Sequence, residues 1–238
     1  MSNARYHDAV DGGPLRPLGF AALWRETERE YHASKDDEWG TTERIQAAFA
    51  SGRERGIRAF GLYHCRWSSE WRYLTFWICP DLTSLYETIA ELERAGDFKF
   101  ADSAHFVGSL VEDKAHLNPG VWEAAPEPRD GEPVPLGLFI AWRRSCRPRS
   151  EGSLKLSRIE KLRTLGQYDC GFGSEWERFT FWIAPDLRTA EEALDALERS
   201  NPLSMVEAQV VMGSLERYYR FGSHLQTDFP WLEEEGRE

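Results

Sequence analysis

With 238 residues, 27.4 kDa and a formal net charge of -11, the chain has room for one large domain or for two of about 100 residues, each with its own core. The acidic balance argues against nucleic acid, since phosphate backbones are bound through a basic face. No apolar run approaches the roughly 18 residues that cross a bilayer, and MSNARYHDAVDGG lacks the apolar stretch of a signal peptide, so we expect a cytoplasmic protein without membrane partners.

In chain order, the first dozen residues are peripheral, and Phe20 to Arg25 reads as a strand. A helix follows through IQAAFASGRERG and stops at Gly56. Arg58 to Trp67 and Trp71 to Ile78 are aromatic and β-branched runs flanking Ser68, Ser69 and Glu70, the pattern of a hairpin. Pro80 and Asp81 break the strand and cap a second helix, in which Leu82, Leu85, Ile89 and Leu92 recur at helical spacing. A last strand covers about Ser103 to Val111, completing β-α-β-β-α-β.

The second half repeats the first. Shifting the chain by 105 residues lays Gly61 to Leu110 on Gly166 to Leu215 without a gap, identical at 20 of 50 positions. Upstream, PLGFAALWR from Pro17 meets PLGLFIAWR from Pro135 at an offset of 118. The 13 residues of difference fall between Glu26 and Gly56, where loops and helix ends absorb insertions cheaply. The organisation expected is a first repeat over 15–112, a Pro- and acid-rich linker over 113–134, a second repeat over 135–221 and an acidic tail over 222–238.

This order of elements resembles the dimeric α/β-barrel superfamily in tandem form, and the hairpin-plus-helix block is similar in shape to darcynin-like proteins. The resemblance implies an α+β fold in which two ferredoxin-like βαββαβ units turn their sheets toward each other. Fusion makes the pair an intramolecular pseudo-dimer with one shared barrel, the alternative being pairing between chains as a homodimer. The resemblance also implies a ligand pocket in the barrel.

Alternation along the strands sorts the faces. Leu74, Phe76 and Ile78, with Phe179, Phe181 and Ile183, read as the helix-covered face. Tyr73, Thr75 and Trp77, with Arg178, Thr180 and Trp182, then face the barrel, so that Thr75 and Trp77 meet Thr180 and Trp182 across the interior. An even-numbered hairpin loop sets His64 opposite Tyr73 or Thr75 and turns His64, Arg66, Asp169 and Arg178 inward. Polar groups on a buried face need partners, at about 1–3 kcal/mol for each left unpaired, which marks this face as the candidate site. His105, where copy two has Val210, belongs either to the cavity or to the opposite face.

The leading expectation is an enzyme acting on a hydrophobic, aromatic or polyketide-like small molecule in the barrel, of the cofactor-independent oxygenase, cyclase, isomerase or dehydratase kinds that the superfamily implies. His64 and Asp169 would supply acid/base catalysis, Arg66 and Arg178 would stabilise an enolate or phenolate, and Tyr73, Thr75, Trp77, His105, Thr180 and Trp182 would contact substrate. A haem-dependent barrel with His64 or His105 as axial ligand is the first alternative. A non-catalytic binding or scaffold protein, its barrel packed solid by its own rings, is the second. No metal site is expected: His32, Asp36 and Asp37 read as a solvated helix end. Cys65, Cys79, Cys146 and Cys170 form no C-x-x-C pair, and reduced thiols are expected. Arg25 and Arg143, recurring at strand ends, suit an acidic group or a structural ion pair.

Overall fold

The computed structural model describes residues 17–27, 42–96, 101–111, 134–144, 159, 161–170, 175–200 and 206–215. Copy one runs β1 (Leu18–Glu26), α1 (Thr42–Glu54), β2 (Arg58–His64), β3 (Tyr73–Cys79), α2 (Leu82–Ala95) and β4 (Ala101–Leu110). Copy two runs β5 (Leu136–Arg144), β6 (Arg163–Asp169), β7 (Arg178–Ala184), α3 (Leu187–Ser200) and β8 (Val206–Leu215). The stretch that answers to α1 in copy two lies outside the described residues, as do the group His32, Asp36 and Asp37, the linker and the tail.

The helix ends follow from their caps. Asp81 accepts a hydrogen bond from the Ser84 amide at 2.8 Å, and Gly96 closes α2 in the left-handed region at φ 90°. Asp186 does the same for α3 through the Thr189 amide at 2.7 Å. Leu85, Thr88, Leu92 and Ala95 form the buried stripe of α2, while Leu82 is exposed.

The eight strands close into one barrel in the order β1-β3-β2-β8-β5-β7-β6-β4, every neighbour antiparallel. Within each copy the order is ferredoxin-like, and the copies join at two seams. Tyr63 and His64 pair with Leu215 and Ser214 at one, and Ser109 and Leu110 pair with Asp169 and Tyr168 at the other. Alternation of direction round eight strands leaves β1 and β5 running the same way, four strands apart, so the pseudo-twofold axis lies along the barrel.

Both hairpins carry the same bulge. Register shifts between Ala59 and Leu62, and again between Thr164 and Gln167, at Gly61 and Gly166, whose φ values of 101° and 104° need glycine. Thr75 Oγ1 donates to the Gly61 carbonyl at 3.0 Å and Thr180 Oγ1 to the Gly166 carbonyl at 2.6 Å. The repeated threonines therefore satisfy an acceptor that the bulge removes from the ladder. Tyr63 and Tyr168 donate to the carbonyls of Phe60 and Leu165 at 2.7 and 2.6 Å, and burial raises both phenol pKa values well above the usual range.

Three apolar layers result. The barrel interior is filled from both copies, with Phe76 stacked on Phe181 at 4.9 Å and 7° and Phe106 against Phe139 at 4.6 Å. A second layer lies between the copy-one sheet and α1 and α2, and a third between the copy-two sheet and α3. The interior is thus a packed aromatic core in place of the expected ligand cavity.

Candidate functional site

The face assignment drawn from alternation is reversed. Leu74, Phe76, Ile78, Phe179, Phe181 and Ile183 all line the barrel interior. Trp77 packs under α1 and α2 beside Phe20 and Phe49, at ring distances of 4.9 and 5.8 Å, and Trp182 lies in the copy-two helix layer. Thr75 and Thr180, two residues before each tryptophan, share those outer faces, so none of the four residues meets its counterpart across the interior. The physical reason is that both faces of each sheet are buried, one by helices and one by the opposing sheet. Threonine sits on the helix side because the bulge carbonyl there gives its hydroxyl a partner.

Of the two partners the hairpin loop offered His64, Tyr73 or Thr75, the register takes Tyr73, and the row points outward. Trp24, Tyr73 and His64 stack side by side across β1, β3 and β2, at 4.3 and 5.4 Å between ring centroids. The same row of copy two reads Trp142, Arg178 and Asp169, closed by an ion pair from Arg178 Nε to Asp169 Oδ1 at 2.5 Å. His64 and Asp169 occupy equivalent positions on β2 and β6, four strands apart and on opposite sides of the barrel. The structure does not assemble them into an acid/base pair.

Arg66 lies exposed in the hairpin loop after β2. His105 sits on the outer face of β4, edge-on to Phe20 at 5.4 Å. It is exposed overall, yet partial desolvation of its ring lowers the imidazole pKa from the usual value, with the Glu93 carboxylate opposing. Arg25 is paired with Asp102 at 3.3 Å, and Arg143 with Glu207 and Glu175 at 2.6 and 3.0 Å, which assigns the strand-end arginines to structural ion pairs. Burial raises the Cys65 and Cys79 thiols to about 12, which leaves both un-ionised and poor nucleophiles. Among the described residues no three His, Cys, Asp or Glu side chains converge as a metal site.

What the faces differ in is the helix layer. In copy one Leu85 and Thr88 of α2 are buried, and Arg55, the residue after α1, is ion-paired with both Glu87 and Glu91 of α2. The Trp77 Nε1 proton is donated to Thr75 Oγ1 at 3.0 Å. In copy two the positions of Leu85, Thr88 and Glu91 are Ala190, Ala193 and Ala196, and that of Phe20 is Leu138. Trp182, 1% exposed, has its Nε1 buried without a hydrogen-bond partner among the described residues. Trp71 Nε1 is the other indole donor so buried among the described residues, but its ring packs on the filled interior. An unsatisfied donor beneath shortened side chains makes the copy-two helix layer the candidate site. A comparison of Leu85 with Ala190, and of Thr88 with Ala193, was the sequence signal for it.

No protein-family model matches the chain, and no curated protein matches it in sequence. Solved structures do match its fold. A doubly substituted chlorite dismutase from Candidatus Nitrospira defluvii superposes with a TM-score of 0.63 at 9% identity, covering 89% of this chain and 95% of that one. A singly substituted form of the enzyme gives 0.55 at 11% identity, covering 90% and 95%. A haem-binding protein from Thermus thermophilus gives 0.59 at 11% identity, covering 84% and 91%. The likeness to darcynin-like proteins rests on the sequence block alone. At these identities the likeness is one of fold, and it shows that the chain has the ferredoxin-like α/β-barrel architecture of chlorite dismutase-like structures.

Proposed function

We propose that this chain binds a haem-type tetrapyrrole on the helix side of the copy-two sheet, and that any turnover it supports takes place there. The observation that carries this reading is the buried, unpartnered Nε1 of Trp182, whose equivalent in Trp77 is satisfied. A buried donor left unpaired costs about 1–3 kcal/mol, which an acceptor on a ligand recovers. Leu138, Ile140, Ala190, Ala193 and Leu194 share that layer and would cover the hydrocarbon of a flat ligand. The solved structures of the same fold include chlorite dismutases and a haem-binding protein, which supports the haem reading over the cofactor-independent one. Haem, when bound, supplies redox chemistry that side chains lack. The filled interior removes the cavity on which a cofactor-independent oxygenase or cyclase centred on His64 would depend.

Titrating the purified chain with haemin tests this. The expected result is a shifted Soret band and quenched tryptophan fluorescence, both saturating at one equivalent per chain. A spectrum that stays that of free haemin contradicts it and leaves the scaffold reading, which the packed interior also suits.

A further inference from the structure

The solvent side of α2 differs from that of its counterpart α3. Leu85, Thr88, Leu92 and Ala95 are its buried stripe, and Glu87 and Glu91 are held by Arg55 beside α1. At about 100° per residue, the side left over runs through Leu82, Tyr86, Ala90 and Glu93. Tyr86 is 71% exposed and Leu82 47%, with Ile89 and Ala90 half-buried at their flank. The equivalents of Tyr86 and Ala90 in α3 are Glu191 and Asp195, both exposed, as a solvated helix face requires. Leu82 alone of these has an apolar counterpart on α3, the exposed Leu187. An apolar stripe left open on an otherwise amphipathic helix marks a surface for a partner.

We propose that two copies of this chain associate through that stripe, α2 against α2 of the partner subunit, antiparallel about a twofold axis level with Thr88. The charges select both the partner and the direction. Asp81 caps the N-terminal end of α2, and Glu93 and Arg94, both exposed, stand at its C-terminal end. Antiparallel pairing brings Arg94 of each chain to Asp81 of the other, and each Glu93 to the N-terminal end of the opposing helix, where the dipole favours an anion. Parallel pairing sets Glu93 on Glu93 and Arg94 on Arg94. The Asp81 carboxylate already accepts from the Ser84 amide and hydroxyl at 2.8 and 3.1 Å, and it has further lone pairs for a guanidinium. The same twofold lays the Tyr86 ring over Ala90 of the partner subunit, a ridge against a gap, and Leu82 along the stem of the partner's Arg94. On α3 the same geometry would set Glu191 against Asp195, a like-charge contact. Each chain closes its own barrel, so this contact is distinct from a barrel shared between chains. One 14-residue helix, about 21 Å long, makes a small interface, so the dissociation constant should be on the order of tens of micromolar.

Sedimentation velocity of the full chain over about 1–500 µM tests this. The weight-average mass should climb from 27.4 kDa toward twice that value. Tyr86→Glu and Ala90→Asp, which install the residues that copy two carries, should each weaken association about thirtyfold or more while circular dichroism confirms folding. Arg94→Glu, which turns both end contacts repulsive, should weaken it about tenfold. Leu187→Ala, at the equivalent place on α3, should leave it unchanged. A mass of one chain at every concentration overturns the inference and leaves the stripe to a partner other than this chain. A dimer that withstands both Tyr86→Glu and Ala90→Asp, or that is lost in Leu187→Ala, places the contact elsewhere and overturns it as well.

Discussion

Replacing Phe76 with alanine should lower the stability of the whole chain by about 3–5 kcal/mol, the usual cost of emptying a phenylalanine site in a core that cannot collapse around it. Phe76 is fully buried, lies parallel to Phe181 of the other copy at 4.9 Å, and touches Tyr168 at 5.6 Å. Because its main partners belong to copy two, the loss should appear in a single cooperative transition and not in one half alone. A double-mutant cycle with Phe181→Ala should show a coupling of about 0.5 kcal/mol or more. Two separate transitions, or no coupling, would mean that these rings face their own helices, as alternation alone suggests.

The second large effect is expected at the seams. A Cβ on Gly108 would lie 2.7 Å from the Asp169 carbonyl oxygen, and one on Gly213 would lie 2.8 Å from Tyr63 Cβ. These atoms belong to or adjoin the backbone of the opposing strand, so neither Gly108→Ala nor Gly213→Ala can be accommodated by a rotamer change. Each should cost about 2–3 kcal/mol, the upper part of the range for overpacking, although alanine in place of glycine within a strand ordinarily stabilises. Among the described residues two pairs hold each seam, with the Val111 amide adding a bond to the Gln167 carbonyl at 2.8 Å between β4 and β6, so the double variant should open the barrel and expose the interior rings to a hydrophobic dye. Unchanged melting of both single variants would show that the seams are not closed as described.

Much of this architecture was legible because a repeat makes the chain its own alignment. The 105-residue shift located both hairpins, the capped helices after Asp81 and Asp186, and the final strands. The hairpin loop length narrowed the partner of His64 to Tyr73 or Thr75, and the register chose Tyr73. What alternation lacked was direction. In a sheet with one wet face, polar residues mark the outside; here both faces are buried, and Thr75 and Thr180 look polar only until the bulges at Gly61 and Gly166 are seen to expose a carbonyl to each. The candidate pair failed for a related reason. His64 and Asp169 are equivalent under the pseudo-twofold, and in an eight-stranded barrel equivalence places them on opposite sides. The Trp182 donor was hidden because Trp77 and Trp182 are identical in sequence, and only their surroundings show that one is satisfied and the other is not.

Where the ligand sits is open to a direct reading by amide hydrogen exchange with and without haemin at saturation. Backbone protection follows local packing, so a ligand in the copy-two helix layer should slow exchange in α3 and in the facing strands β5 and β7, leaving α1, α2 and the β2–β3 hairpin as they were. Added protection confined to β1, β3 and the copy-one helices, or spread evenly round the barrel, would contradict the placement on Trp182 and return attention to His64 and His105.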